Sequence, residues 1–220
     1  MICGGLSDLM ILDAHVCKRC LQSIVRLPLE NRWQFCRSEP FTGDKYPTLT
    51  LYVPFAYEGQ VSSVIHKIKF GKKQELARML GFFLGESLKK DNVIFDAVIP
   101  VPLSRSRLEE RGFNQAAVIG SMISEVLNVP ILCDVLIRSR ETQRQAELKD
   151  NVRRADNVLG AFVINGLYSV DGLRVLLIDD VATTGNTLYE AASVLLQNGA
   201  SSVLCCAFAS NRARKNAESY

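Results

Sequence analysis

The chain has 220 residues, of which 48% are hydrophobic and 22% charged, a balance that supports a buried core and excludes the composition of disorder. At roughly 150 residues per domain, this length accommodates one full-sized domain and a small appendage. A net charge of +3 is too mild to indicate nucleic-acid binding from bulk electrostatics. No apolar run approaches the roughly 20 residues of a membrane helix, so membrane insertion is not expected. The opening Met1-Ile2-Cys3-Gly4-Gly5 lacks the basic and apolar regions of a secretory leader, which makes the cytoplasm the expected location.

Four of the 7 cysteines, Cys3, Cys17, Cys20 and Cys36, crowd into the N-terminal stretch. Cys17 and Cys20 form a C-x-x-C knuckle, and Cys3 and Cys36 supply the two further thiolates that a tetrahedral structural Zn²⁺ requires. So short a segment has little core of its own, and metal binding would contribute much of its folding energy. The competing reading is a set of buried free thiols. His15 reads as a surface residue, and Cys133, Cys205 and Cys206, in apolar strand-like runs, read as core. The Pro, Gly and small polar residues of 37–47 read as a connector. They divide the chain into 1–47, a zinc-binding segment with its connector, and 48–220, the main domain.

Beyond that boundary, residues 61–70 (apolar Val61, Val64, Ile65, Ile68), 75–89, 115–127 and 187–198 carry the helical period. Between them, residues 93–101, 160–164, 175–178 and 202–208 are short, β-branched and bounded by turn residues, as buried strands are. Strands alternating with helices predict an α/β fold with a mostly parallel sheet flanked by helices.

The most informative segment is Val175-Leu176-Leu177-Ile178-Asp179-Asp180-Val181-Ala182-Thr183-Thr184-Gly185-Asn186-Thr187. A buried strand feeds two acids and then a loop of small residues that opens a helix. Backbone N–H groups at a helix start make an anion site, reinforced by the helix dipole. Thr183, Thr184, Gly185, Asn186 and Thr187 fit a phosphate, with Gly185 allowing close backbone approach and the threonine hydroxyls able to donate. Carboxylates beside a phosphate would repel it, so Asp179 and Asp180 are expected to accept hydrogen bonds from hydroxyls about one sugar's width away. That describes a ribose 5-phosphate. The bland alternative is a strand ending in solvated aspartates before an ordinary helix cap.

This segment resembles the phosphoribosyl pyrophosphate (PRPP) loop of type I phosphoribosyltransferases. Further stretches extend the likeness: Tyr57-Glu58-Gly59, Ile65 and Lys67-Ile68-Lys69-Phe70; Val98-Ile99-Pro100-Val101-Pro102 with Glu110-Arg111-Gly112-Phe113-Asn114-Gln115; and Thr142, Gln145, Leu148, Arg154, Asn157 and Phe162. Together they make the chain similar to the ComF family along nearly its whole length. The resemblance implies a type I phosphoribosyltransferase-like domain, an N-terminal Cys₄ zinc segment and a link to uptake of transforming DNA. Relatives often carry additional C-x-x-C pairs, whereas here Cys3 and Cys36 stand alone.

In such a domain the loop after the first core strand holds the pyrophosphate. Ser104, Arg105 and Arg111 are the implied contacts, with Arg107 ranked behind them and Mg²⁺ bridging ligand oxygens. A solvated basic turn is the alternative. Arg138, Arg140, Arg144, Arg153 and Arg154 with Lys149 read equally as a mobile hood over PRPP or as a solvated loop. With Lys67, Lys69, Lys72, Lys73, Tyr57 and Phe70, the same cations could instead track a single-stranded nucleic acid.

Two functions follow. One is Mg²⁺-dependent phosphoribosyl transfer from PRPP, with Asp179 and Asp180 as the catalytic pair. The other is a non-catalytic module of the DNA-uptake apparatus that contacts single-stranded DNA or a competence helicase. A PRPP-sensing regulator is weaker, since no helix-turn-helix is recognisable. Thr183 stands where enzymes of 6-oxopurines place an acid, which disfavours hypoxanthine and guanine as acceptors.

Overall fold

The computed structural model describes residues 9–11, 14–16, 22, 24, 26–36, 49–57, 60–139 and 160–210. At the N-terminus, β1 (Leu9–Ile11) pairs antiparallel with β2 (Ala14–Val16). A short helix α1 (Leu29–Arg32) leads into β3 (Trp33–Cys36). The main domain continues with β4 (Leu49–Tyr52), β5 (Phe55–Ala56), α2 (Gln60–Phe70), α3 (Gln74–Lys90), β6 (Ala97–Pro100), α4 (Arg105–Arg111) and α5 (Gln115–Leu127). It closes with β7 (Leu136–Arg138), β8 (Phe162–Ile164), β9 (Arg174–Ala182), α6 (Asn186–Gln197) and β10 (Ser202–Ser210).

The principal sheet runs β3-β4-β10-β9-β6, with β5 also on β10. Every pairing in it is parallel except that of β3 with β4. This is the mostly parallel α/β architecture that the alternating pattern predicts. The strand β3, from the N-terminal side of residue 47, supplies its edge, with Trp33 opposite Tyr52. Pro54 separates β4 from β5, because a residue without an N–H cannot continue the ladder. Its carbonyl accepts the Leu27 N–H at 2.8 Å.

Side chains alternate across the sheet. Leu176, Ile178, Cys206 and Phe208 face a core completed by Val64, Ile68, Leu80, Ile119 and Ile123 from α2, α3 and α5. Val175, Leu177, Cys205 and Ala207 face the opposite core, closed by Leu188 and Leu195 of α6 with Leu136 and Phe162 of the antiparallel β7–β8 pair. Two faces covered by helices explain why the central strands read as continuous apolar runs. Helices α3 and α5 pack closely at Gly81, where an added Cβ would lie 2.7 Å from the Ile119 carbonyl oxygen.

The helical expectations agree with α2, α3, α5 and α6 to within a residue or so. The strands differ more. Residues 93–96 precede β6 as an irregular segment, because α3 ends in a turn with Asn92 at φ 51° and the Val93 N–H folding back to Leu88. Residue Cys133, expected in the core, is exposed. Only a single bridge, Val98 to Ile131, reaches the sheet edge before it, and the chain then turns outward. Cys205 and Cys206 are fully buried, in line with the sequence reading.

A polar cluster joins the N-terminal segment to α3. The Tyr52 hydroxyl donates to Asp91 Oδ2 at 2.6 Å and lies 2.9 Å from Ser87 Oγ. Arg32 Nη1 donates to both Asp91 oxygens at 2.9 and 3.0 Å, while Arg26 reaches Asp91 Oδ1 and Ser87 Oγ, each at 3.0 Å. Burial alone would raise the Asp91 pKa, but the bonds from Tyr52 and Arg32 and the charges of both arginines outweigh it and hold the carboxyl below its ordinary value.

Candidate functional site

In open α/β sheets ligands lie beyond the carboxyl ends of the strands, and here the two acids and the small-residue loop occupy that edge. The sequence predicts a strand that stops at Ile178, but β9 runs on through Asp179 and Asp180 to Ala182. Its ladder persists because β10 is long enough to pair Ala209 with Val181 and Ser210 with Ala182. The acids are therefore fixed by a strand rather than carried on a loop.

After Ala182 the chain turns through 183–185 into α6. Gly185 occupies the cap position at φ 82°, a left-handed conformation that costs a residue without a Cβ nothing. Gly185 has no side chain with which to cap α6, and of the first-turn N–H groups that of Asn186 reaches Thr184 Oγ1. Thr183, Thr184, Gly185 and Thr187 line a small cavity with Asp179, Val181, Ala182 and Leu188. The side chain of Asn186, also expected at the phosphate, is instead buried at 4% exposure in the first turn, and its N–H lies 3.5 Å from Thr184 Oγ1.

The successive acids have different surroundings. Asp179 accepts the Asp180 N–H on Oδ1 at 2.8 Å. Burial, and next the neighbouring Asp180 carboxylate, push its pKa up to about 7, against the opposing charges of Lys69 and Arg111. Asp180 is 7% exposed and forms an ion pair through Oδ2 with Lys69 Nζ at 2.9 Å, while the buried Oδ2 has no hydrogen-bond partner among the described residues. Lys69 lies in the last turn of α2, where a cation also complements the helix dipole. Sequence reasoning placed Lys69 on a basic track and missed this pairing, since no spacing rule links α2 to the end of β9.

The Arg111-Gly112-Phe113-Asn114-Gln115 stretch is mainly architecture. Gly112 ends α4, Phe113 is buried, and Asn114 caps α5 while its amide donates to the Val101 carbonyl at 3.0 Å. Arg111 Nη1 donates to Gln115 Oε1 at 2.9 Å, and its buried Nε has no partner among the described residues. An orphan guanidinium N–H whose charge reaches Asp179 is suited to an anionic ligand.

Ser104 and Arg105 are not brought to the same cavity. Ser104 is buried and caps α4, its hydroxyl accepting the Arg107 N–H at 3.4 Å. Arg105 is exposed, pairs with Glu109 at 3.0 Å, and lines a separate surface groove with Leu108, Cys133, Arg138 and Tyr168. Helix α4 escaped the sequence reading because it buries no residue and so has no apolar stripe. Its available signal was the cap Ser104 followed at the far end by Gly112. Glu190, also missed, is buried in α6 and accepts the Gly160 N–H at 2.6 Å, pinning the return of the chain after residues 140–159.

Of the proposed zinc ligands, Cys3, Cys17 and Cys20 lie outside the described residues, and only the backbone of Cys36, in β3, lies within them. Most of the arginine-rich stretch also lies outside. Among the described residues no group of three or more His, Cys, Asp or Glu could hold a metal. None of the described helices is long and apolar enough to cross a membrane.

The model of the phosphoribosyl transferase domain family matches residues 114–220. The DNA utilization protein YhgH of Escherichia coli O157:H7 is 32% identical over 173 residues, covering 76% of this chain and 73% of that protein. Competence protein F of Haemophilus influenzae is 31% identical over 150 residues, 65% of each chain. Competence protein ComFC of Bacillus subtilis is 33% identical over 102 residues, covering 46% of this chain and 39% of the relative.

Proposed function

Because the chain belongs to the ComF family of phosphoribosyltransferase-like proteins, we propose that it binds a 5-phosphoribosyl ligand such as PRPP at the end of β9. The observation that carries this reading is the continuity of Asp179 and Asp180 with the small-residue start of α6 across a left-handed Gly185. The phosphate is held by N–H groups of 184–187 with the hydroxyls of Thr183, Thr184 and Thr187. The acids accept from the ribose hydroxyls. Arg111 meets the pyrophosphate end, and Ser104 and Arg105 reach it only if the loop after β6 rearranges.

Magnesium fits this site as a ligand-borne ion. Among the described residues that line the cavity Asp179 is the one acid, and the adjacent Asp180 is ion-paired with Lys69. The ion would take most of its oxygens from the ligand and water, where it neutralises developing phosphate charge. The protein's own contribution is positioning and electrostatics. Zinc held by Cys3, Cys17, Cys20 and Cys36 is proposed from their spacing as a structural site. The cellular role we propose is handling of transforming DNA, a reading supported by the names of the competence and DNA-utilization relatives; a cytoplasmic location and a single-stranded DNA or helicase partner belong to the same proposal.

Calorimetric titration with PRPP and Mg²⁺ tests the pocket. Micromolar binding is expected for the intact protein and none for Asp179→Asn with Asp180→Asn; equal affinity of the two would sink the site assignment. Metal analysis tests the N-terminus. Stoichiometric zinc is expected, lost in Cys17→Ser with loosening of that segment, and metal-free protein of normal stability would refute it.

A further inference from the structure

Arg111 ends α4 and Gln115 opens α5, with Gly112 turning the chain between them at φ 81° and the Asn114 side chain capping the second helix. The turn brings the two side chains together, and Arg111 Nη1 donates to Gln115 Oε1 at 2.9 Å. Gln115 is 1% exposed, and its Nε2 donates to the Phe113 carbonyl at 3.2 Å. That second bond fixes which way the amide faces. A flipped amide would set its carbonyl against that of Phe113 and its N–H groups against the guanidinium. With Nη1 engaged, Arg111 keeps its Nε–Nη2 edge, and no acceptor among the described residues reaches the buried Nε. The same edge of Arg174 grips Asp96 through bonds of 3.0 and 2.6 Å, so this protein uses that fork on an anion elsewhere.

The neutrality of the partner matters. Arg26, Arg32, Arg105 and Arg174 each pair with a carboxylate, which offsets their charge, whereas the Gln115 amide leaves that of Arg111 whole. Strand β6 lies beside β9 with Pro100 opposite Ile178, and Asn114 Nδ2 ties the start of α5 to the Val101 carbonyl, just past the end of β6. Arg111 and Gln115 thus sit on the β6 side of Asp179, whereas the turn 183–187 leads away into α6. We infer that Gln115 is a positioning residue: it turns the Arg111 guanidinium so that the fully charged Nε–Nη2 edge takes a second anionic group, and the site thereby prefers a sugar phosphate that also bears a diphosphate to the simple monophosphate. The inference rests on the phosphoribosyl reading of the site and extends it to the residue that holds Arg111. An arginine side chain has several rotatable bonds, and fixing one nitrogen beforehand lowers the cost of aligning the other two with a ligand. Without Gln115 the guanidinium can turn, and a buried donor loses its acceptor.

The test is a double-mutant cycle read by calorimetric titration of PRPP and of ribose 5-phosphate, each with Mg²⁺, into the full chain, Gln115→Met, Arg111→Met and the double variant. Gln115→Glu serves as a second replacement at the buried position, one that keeps an acceptor for Arg111 but neutralises its charge. Thermal melts check that each variant folds. The wild type is expected to favour PRPP over ribose 5-phosphate by about tenfold or more. Gln115→Met and Gln115→Glu should each remove most of that preference while changing ribose 5-phosphate affinity only a few-fold. In the Arg111→Met background, Gln115→Met should have no further effect on PRPP, because a residue that acts through another is silent once the other is gone. Additive losses around the cycle, or equal weakening of both ligands, overturn the positioning role and leave Gln115 a structural part of the α5 start. An unchanged preference in either Gln115 variant overturns it as well. Equal wild-type affinity for the two ligands overturns the inference but spares the phosphate loop, and no wild-type binding of either overturns the phosphoribosyl reading and this inference together.

Discussion

At Asp179 a carboxylate that would titrate near 4 in an open chain is displaced to about 7 by burial and by the adjacent Asp180. Between those values the folded protein holds a proton that the unfolded chain has released. Stability therefore falls as pH rises through that window, and the penalty is complete above about 7. Replacing Asp179 by Asn keeps an acceptor for the Asp180 N–H and removes the charge. The variant should be more stable than wild type at pH 8, by on the order of 1 kcal/mol, with the difference shrinking toward pH 4. Urea midpoints across that range check it, and a difference independent of pH would contradict the titration. A stabilising substitution that abolishes ligand binding is the pattern expected where strain is kept for a ligand.

At the scale of elements, the α3–α5 contact depends on the missing side chain of Gly81. Gly81→Ala places a methyl 2.7 Å from both the Ile119 carbonyl oxygen and Met122 Cβ. The loss should be about 1–3 kcal/mol, the usual cost of overpacking, despite alanine's better helix propensity. Denaturant midpoints measure it, and an unchanged midpoint would mean that the helices part easily. The same elements show what was legible beforehand. Helix α5 could be read to the residue because its apolar period is bracketed by Asn114 as N-cap and left-handed Asn128 at the C-cap. Helix α4 buries nothing, and β4 sat where a connector was expected to end, so neither left a periodic trace. The phosphate loop was visible as contiguous chemistry. The pairing of Lys69 with Asp180 was not, because it depends on where α2 crosses the sheet.

For the whole molecule, the Tyr52–Ser87–Asp91 cluster and its two arginines tie the N-terminal segment to the helical layer. Asp91→Ala would leave Arg26, Arg32 and Tyr52 without their shared acceptor, at a cost of about 3 kcal/mol, and would free the segment to move. Amide exchange should rise first in β3 and α1, whereas uniform exchange would argue against a separable segment. The Asp91 pKa is depressed in the folded state, so its contribution is complete above the ordinary carboxylate value. It is lost on acidification as pH falls through the lowered value. Wild type and Asp91→Ala should therefore converge in stability only below about pH 4.

The last described strand, β10, lies between β9 and the β4–β5 edge, pairing Leu204 with Thr50 across most of the chain. During translation β4 and β9, on the two flanks of the sheet, both emerge from the ribosome before the strand that joins them. Until residues 202–210 are out, β9 and β4 each present an unpaired hydrogen-bonding edge and an apolar face. The nascent protein cannot close its sheet before residues 202–210 emerge, and both core and site depend on them. A premature stop before Ser202 would thus yield neither a weakened binder nor a half-folded domain, but a chain for chaperones and proteases to clear.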